Sequence, residues 1–272
     1  MRKRLGYSLL FLALLLLAAI SQWPAATLAS LLERASNDRW RLTSPSGSIW
    51  HGAGMLLARA DKNTPWRNIQ NITWQIRPAE LLLGRLVADI SPEQGRLRLS
   101  AGISGLQAEN VELGLPAAAI APLLPGALGR YRWQGMLRAD GERFGCNWAG
   151  SDCQGGLEIF WREASLGEIP GIVLGDYHIK LTGQGSATKI GLQTLRGHLQ
   201  IDGSGEFTAD GGLHFSGLAS APSLPIATVA ADPALVAATL DDRLPNPLAA
   251  LLNTLGRPAG DGKYLLEYRQ TR

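Results

Sequence analysis

The feature that most limits how this chain can fold is a period-two alternation of apolar and polar residues in short segments bounded by glycine. In Arg96-Leu97-Arg98-Leu99-Ser100-Ala101 the leucines share one side and the arginines and serine the other. Asp176 to Thr182, Arg196 to Asp202, Leu213 to Ser216 and Tyr264 to Tyr268 alternate in the same way. Two is the side-chain repeat of a strand, and one apolar side per strand is the half-buried antiparallel pattern. Asp202-Gly203, Asp210-Gly211-Gly212 and Asp261-Gly262 read as hairpin turns that need positive φ. Turn signals every 8–12 residues or so predict consecutive hairpins rather than βαβ crossovers. The expected fold is mainly β: a curved or twisted antiparallel sheet of hairpins with a few short helices. The helices are expected at Leu28 to Ala35, at Pro78 to Leu83 with Gly84 as the stop, after Asp232-Pro233, and over Leu248 to Leu255 after Asn246-Pro247.

The N-terminus sets the topology. Arg2-Lys3-Arg4 precedes Leu5 to Trp23, nineteen residues without a charge, and the next charged residue is Glu33. Nineteen residues at 1.5 Å each make roughly 28 Å of helix, enough to cross a hydrocarbon core. Cations before the run and none just after it place the N-terminus in the cytoplasm and the rest across the membrane. The competing reading is a cleaved signal peptide, for which Ala19-Ile20-Ser21 and Thr27-Leu28-Ala29 offer small-residue sites. The length of the run and an interfacial Trp23 favour an uncleaved anchor. The expected organisation is a tail over 1–4, a transmembrane anchor over 5–23, a juxtamembrane segment over 24–46 and a β-rich domain on the far side of the membrane over 47–272.

Composition narrows the function. At 272 residues, 46% hydrophobic and 18% charged, the chain has enough apolar residues for a packed core and is not disordered as a whole. The first three cations are part of 26 basic residues, leaving 23 against 23 acidic. A balanced chain offers no net pull on phosphates, so a nucleic-acid partner is not supported.

The residues that could carry chemistry read as structural. Cys146 and Cys153 flank what looks like a loop between strands. In an oxidising compartment two isolated cysteines so close form a disulfide; a metal site lacks a nearby His, and a redox pair needs a two-residue spacer. His51, His178, His198 and His214 are scattered on polar sides of strands without ligand spacing. Gly102-Ile103-Ser104-Gly105 is one residue short of a nucleophile elbow. Glu206 with Asp210 could pair as acid and base, but a chain with 23 acidic residues offers many such pairs. Trp50 and Trp74 sit in strand-like runs and pack in a core, and Gly47, Gly52 and Gly54 permit bulges or close strand approach. Gly183-Gln184-Gly185 and Gly203-Ser204-Gly205 read as turns. No catalytic, cofactor or metal residue emerges.

Four motifs carry a resemblance: Gly47-Ser48-Ile49-Trp50-His51-Gly52-Ala53-Gly54; Thr73-Trp74-Gln75-Ile76-Arg77-Pro78 leading to Leu81-Leu82-Leu83-Gly84; Gly197-His198-Leu199-Gln200-Ile201-Asp202-Gly203; and Leu255-Gly256 followed by Asp261-Gly262-Lys263-Tyr264. In this order behind one anchor, the set resembles the type II secretion system protein N family. The resemblance implies a cell inner-membrane, single-pass, mostly periplasmic accessory component of the general secretion pathway, which exports folded proteins across the outer membrane. It implies partners among the other secretion components, a non-catalytic scaffolding role, and no cofactor. The family is also distantly similar to AsmA-like envelope proteins with an apolar inner sheet face, and a lipid- or substrate-binding module is therefore the second reading. A cell-wall hydrolase is the third. An exposed apolar groove would favour the second and a polar cleft with perturbed carboxylates the third.

Overall fold

The protein is described by a computed structural model covering residues 22–59, 63–120, 131–150, 152–208, 212–221 and 247–270. The chain runs α1 (Ala25–Ala35), β1 (Trp40–Gly47), β2 (His51–Ala58), β3 (Arg67–Ile76), α2 (Pro78–Leu81), β4 (Leu86–Pro92), β5 (Gly95–Gly102) and β6 (Gly105–Pro116). It continues through α3 (Ala117–Ile120), β7 (Trp133–Cys146), β8 (Cys153–Leu166), β9 (Val173–Gly185), β10 (Ala187–Gly197), β11 (Gln200–Thr208) and β12 (Leu213–Ser220). It closes with α4 (Pro247–Leu255), β13 (Arg257–Gly260) and β14 (Lys263–Gln270). Among the described residues, all fourteen strands belong to one open antiparallel sheet in chain order, except that β14 pairs with β12 and β13 takes the edge.

Register separates the two faces of this sheet. Trp74 pairs with Ile90, Ile90 with Leu97, Leu99 with Ala108, and Ala108 with Phe144, so one face is apolar. The same face continues through Leu157, Leu181 and Ile190. The other face is charged. Arg77 and Arg98 each reach Asp89 at 2.7 Å, Arg96 reaches Glu112 at 3.0 Å, and Lys180 lies 3.5 Å from Glu158. Such cross-strand pairs supply register and solubility more than stability. They consume the balanced charge of the chain pair by pair.

Two bulges keep the faces sorted. Asn110 (φ 49°) and Glu163 (φ 52°) sit where the pairing register slips. One extra residue reverses the inside–outside alternation of a strand, and that lets Val111, Leu113 and Leu115 continue the apolar face begun by Leu106 and Ala108.

Two helices cover opposite ends of the apolar face. Ala25, Leu28, Ala29 and Leu32 of α1 pack on Leu42, Trp74 and Ile76. Leu248, Leu251 and Leu252 of α4 pack with Leu166, Leu174, Tyr177, Leu199 and Ala219. The expected helices at 28–35, 78–83 and 248–255 thus correspond to α1, α2 and α4; the one after Asp232-Pro233 lies outside the described residues. The 24–46 stretch contributes both α1 and β1.

Several local expectations need correction. Arg196 to Asp202 is not one strand: Gly197 ends β10, His198 and Leu199 turn, and β11 begins at Gln200. Asp202-Gly203 and Gly203-Ser204-Gly205 are inside β11, whereas Gly183-Gln184-Gly185 leads into the β9–β10 turn as expected, with Gly185 at φ 76°. The β11 glycines serve close packing. A Cβ at Gly203 would lie 2.6 Å from the Phe215 ring and 2.8 Å from the Cα of Gly217, so the ring lies across a floor of glycines. Trp50 sits in the β1–β2 turn rather than in a strand. Asp261-Gly262 is the expected turn, with both φ positive (50° and 68°).

No helix among the described residues is long and apolar enough to cross a membrane. Residues 5–21 of the expected anchor lie outside the described residues.

Candidate functional site

Three places on the sheet stand out, and motif residues meet at the first two. At the first, Gly52 lies beneath Trp74: a Cβ there would come within 2.5 Å of the ring. Trp74 is 5% exposed, and its Nε1 donates to the Ile49 carbonyl at 3.1 Å. The Ile76 amide donates to the Trp50 carbonyl at 2.6 Å, and the Ile49 amide to the Trp23 carbonyl at 2.8 Å. The β1–β2 turn, the end of β3 and the entry to α1 are thereby fastened together. Pro78 opens α2 at its first position and Gly84 (φ 73°) follows it, leaving Leu82 and Leu83 in solvent.

At the second place, Gly197 packs against Gly175 with no room for a Cβ. The Leu199 amide donates to Leu174 at 2.9 Å, and the Tyr177 hydroxyl donates to the Leu199 carbonyl at 2.8 Å. Burial pushes the Tyr177 phenol well above its ordinary value, and the Asp176 charge adds to that. Asp176 accepts from the Glu163 amide at 2.8 Å and from Arg196 Nε at 2.6 Å. Burial alone would raise its carboxyl, but the Glu163 amide and the Arg196 guanidinium outweigh it and hold the group below the usual carboxylate range. The carboxylate clamps the bulge to β10. Sequence reading missed it, because it placed Arg196 within a continuous strand.

The third place is an apolar cavity of about 400 Å³ between α4 and the sheet. Leu251 roofs it, and Trp161, Tyr177, Leu192, Ile201 and Phe215 form much of its wall. Trp161 stacks edge-on with Trp133 at 5.2 Å and its Nε1 donates to the Gln134 carbonyl at 3.0 Å. The Tyr177 hydroxyl and the Thr254 hydroxyl are likewise committed to backbone carbonyls. A cavity of this size lined mostly by apolar side chains, with Glu267 and Tyr268 also in its lining, suits an apolar group. A wider polar concavity of about 1140 Å³ adjoins it and is lined in part by Lys189, Glu206, His214 and Arg269.

The remaining candidates disperse. Cys146 and Cys153 are joined across the last pair of the β7–β8 hairpin, seven residues apart. His51 is on β2, His178 on β9, His198 in a turn and His214 on β12. His178 stacks on Phe160 at 4.6 Å and lies 3.4 Å from Glu158. No group of three or more His, Cys, Asp or Glu that could hold a metal occurs among the described residues. Glu206 is an exposed β11 residue, and Asp210 lies outside the described residues. Burial opposes ionisation of Asp89 and Glu168 as well, yet their arginine partners, with backbone amides at Glu168, hold both below the ordinary range. Carboxylates so held are ion-pair partners, whereas a general acid needs a raised value.

Fold and site together define a class: an open β-meander with one ion-paired face and one apolar face. Residues 38–267 match the family model described as type II secretion system (T2SS), protein N. The chain belongs to that family. A type II secretion system protein N from Vibrio cholerae serotype O1 is 30% identical over 134 residues, covering 46% of this chain and 50% of the relative. The chain thus spans about half the length of the curated relative it matches. No solved structure matches the chain.

Proposed function

We propose that the protein is an inner-membrane-anchored, periplasm-facing accessory component of type II secretion, supporting export of folded proteins by a non-catalytic scaffolding role. The observation that carries this reading is the family match across residues 38–267, which takes in β1 to β13 and most of β14. The anchor holds the sheet at the membrane, and strands and loops contact other secretion components. The hydrogen bond between Trp23 and the β1–β2 turn supports this, because it leaves little slack between the end of the apolar run and the sheet. Removing the protein is expected to lower release of a folded reporter substrate while its synthesis stays constant; unchanged release would refute the role. A reporter active only in the periplasm, fused after Arg272, is expected to work, and the protein to stay with membranes after a carbonate wash. A shortened soluble form would replace the anchor with a cleaved signal.

One observation favours a second reading, binding of a lipid or an apolar part of a substrate: the cavity beneath α4. Filling it with Leu192→Trp is expected to leave the scaffolding role intact if that role alone matters. Loss of secretion at normal abundance would favour the binding role.

A further inference from the structure

In an antiparallel meander the connections fall alternately at the two ends of the sheet. Those from β1 to β2, β3 to β4, β5 to β6 and β7 to β8 share one end. Register sets Leu86 beside Ala101, Ala101 beside Leu106, and Leu106 beside Cys146, so the last three of these turns project past a common row. The four most exposed large apolar side chains among the described residues all stand there: Ile103 at 94%, Leu82 at 91%, Leu83 at 70% and Trp148 at 65%.

The turns form a continuous line. Trp148 Nε1 donates to the Gly102 carbonyl at 2.9 Å, and a Cβ on Gly102 would lie 3.8 Å from that of Arg85. At the head of the line the Ile49 amide bonds to the carbonyl of Trp23, the last residue of the expected 5–23 anchor. The tips Leu81 to Gly84, Gly102 to Gly105 and Asn147 to Gly150 contain no charge; the charges of these connections stand at their bases, where Arg85 pairs with Glu80 at 2.6 Å, Arg77 pairs with Asp89 and Asp152 precedes β8. The opposite end carries Glu93, Gln94, His198 and the Arg132–Glu168 ion pair at 3.2 Å. Nothing in the sheet requires leucine at 82 and 83 or isoleucine at 103, since these side chains pack on almost nothing.

We propose that this row of turns is a membrane-contacting rim, in which Leu82, Leu83, Ile103 and Trp148 enter the interfacial layer of the bilayer and stand the sheet end-on. Strands are about 4.8 Å apart, so turns two strands away are roughly 10 Å apart and the row from β1 to β8 covers about 34 Å. A line of separate apolar tips fits a flat lipid surface; a protein partner is usually met by a compact patch whose anchors fill pockets. Tryptophan favours the interface, and a few inserted side chains add a second attachment to a single anchor. Continuity with Trp23 selects the bilayer that holds the N-terminal run. The inference rests on the anchored reading above.

Both native cysteines form the disulfide, so an introduced cysteine is the sole free thiol. Full-length Leu82→Cys, Ile103→Cys, Gln94→Cys and His198→Cys proteins would carry an environment-sensitive fluorophore in phosphatidylethanolamine–phosphatidylglycerol liposomes containing a lipid-borne quencher. Labels at 82 and 103 are expected to be quenched several-fold more than those at 94 and 198. Protein that floats with liposomes but shows equal, weak quenching at both ends would overturn the rim alone, leaving the leucines to a protein partner. Protein that fails to float would overturn both the rim and the anchor.

Discussion

Trp74 joins four elements, β2, α1, β1 and β4, through one side chain. Its ring covers Gly52, its Nε1 reaches Ile49, and its neighbours in the core come from α1, β1 and β4. Trp74→Ala is expected to cost roughly 3–5 kcal/mol, a large share of the roughly 5–15 kcal/mol of a typical domain. A denaturant titration would check it; a loss under 1 kcal/mol or so would mean the ring is not a core residue. Asp176 makes a different prediction. Its carboxyl ionises more readily folded than unfolded, so its contribution is complete above the unfolded value near 4 and is lost as pH falls through the lower folded one. Melting temperature is expected to hold from pH 7 to about 5 and fall below about 4, and Asp176→Asn to weaken that acid dependence. An unchanged acid limb in the variant would remove Asp176 from the account. The packing role of Trp74 was legible from its strand pattern. The Asp176–Arg196 clamp was not, because it depends on a bulge at Glu163 that no local pattern marks.

At the level of elements, alternation identified β5, β9, β12 and β14, where one polar side faces water. Proline and glycine at their ends marked α2 and α4. The misreadings at Gly203 and Gly205 share a cause. Glycine was read as a turn signal, yet Gly203, Gly205 and Gly217 leave room on the apolar face for the Phe215 ring. Composition does not tell a glycine needed for positive φ from one needed for close approach. The β7–β8 hairpin gives an element-scale test. Its disulfide closes a loop of seven residues' separation, so replacing both cysteines by serine is expected to cost about 2.4 kcal/mol by the loop-entropy relation. The variant should remain folded, since the hairpin is paired along its length on both sides. Circular dichroism with thermal melting would show it. Complete unfolding would make the bridge a staple for the whole fold.

For the whole molecule, most of the antiparallel sheet was legible because, except for β12 beside β14, the described strands that neighbour each other in the sheet are consecutive in the chain, the topology that hairpin spacing encodes. The cavity and the apolar turn row were not legible. Both depend on which strands stand side by side and on which end each turn falls. The central claim is that the protein supports type II secretion through strand geometry and anchoring rather than through one chemical group. The direct measurement is secretion of a reporter substrate beside steady-state abundance, for Trp74→Ala, Glu206→Ala and His198→Ala. The account predicts that Trp74→Ala lowers abundance and secretion together, while the exposed Glu206 and His198 substitutions leave both near normal. Loss of secretion at full abundance from either polar substitution would contradict it and point to a specific chemical or binding site.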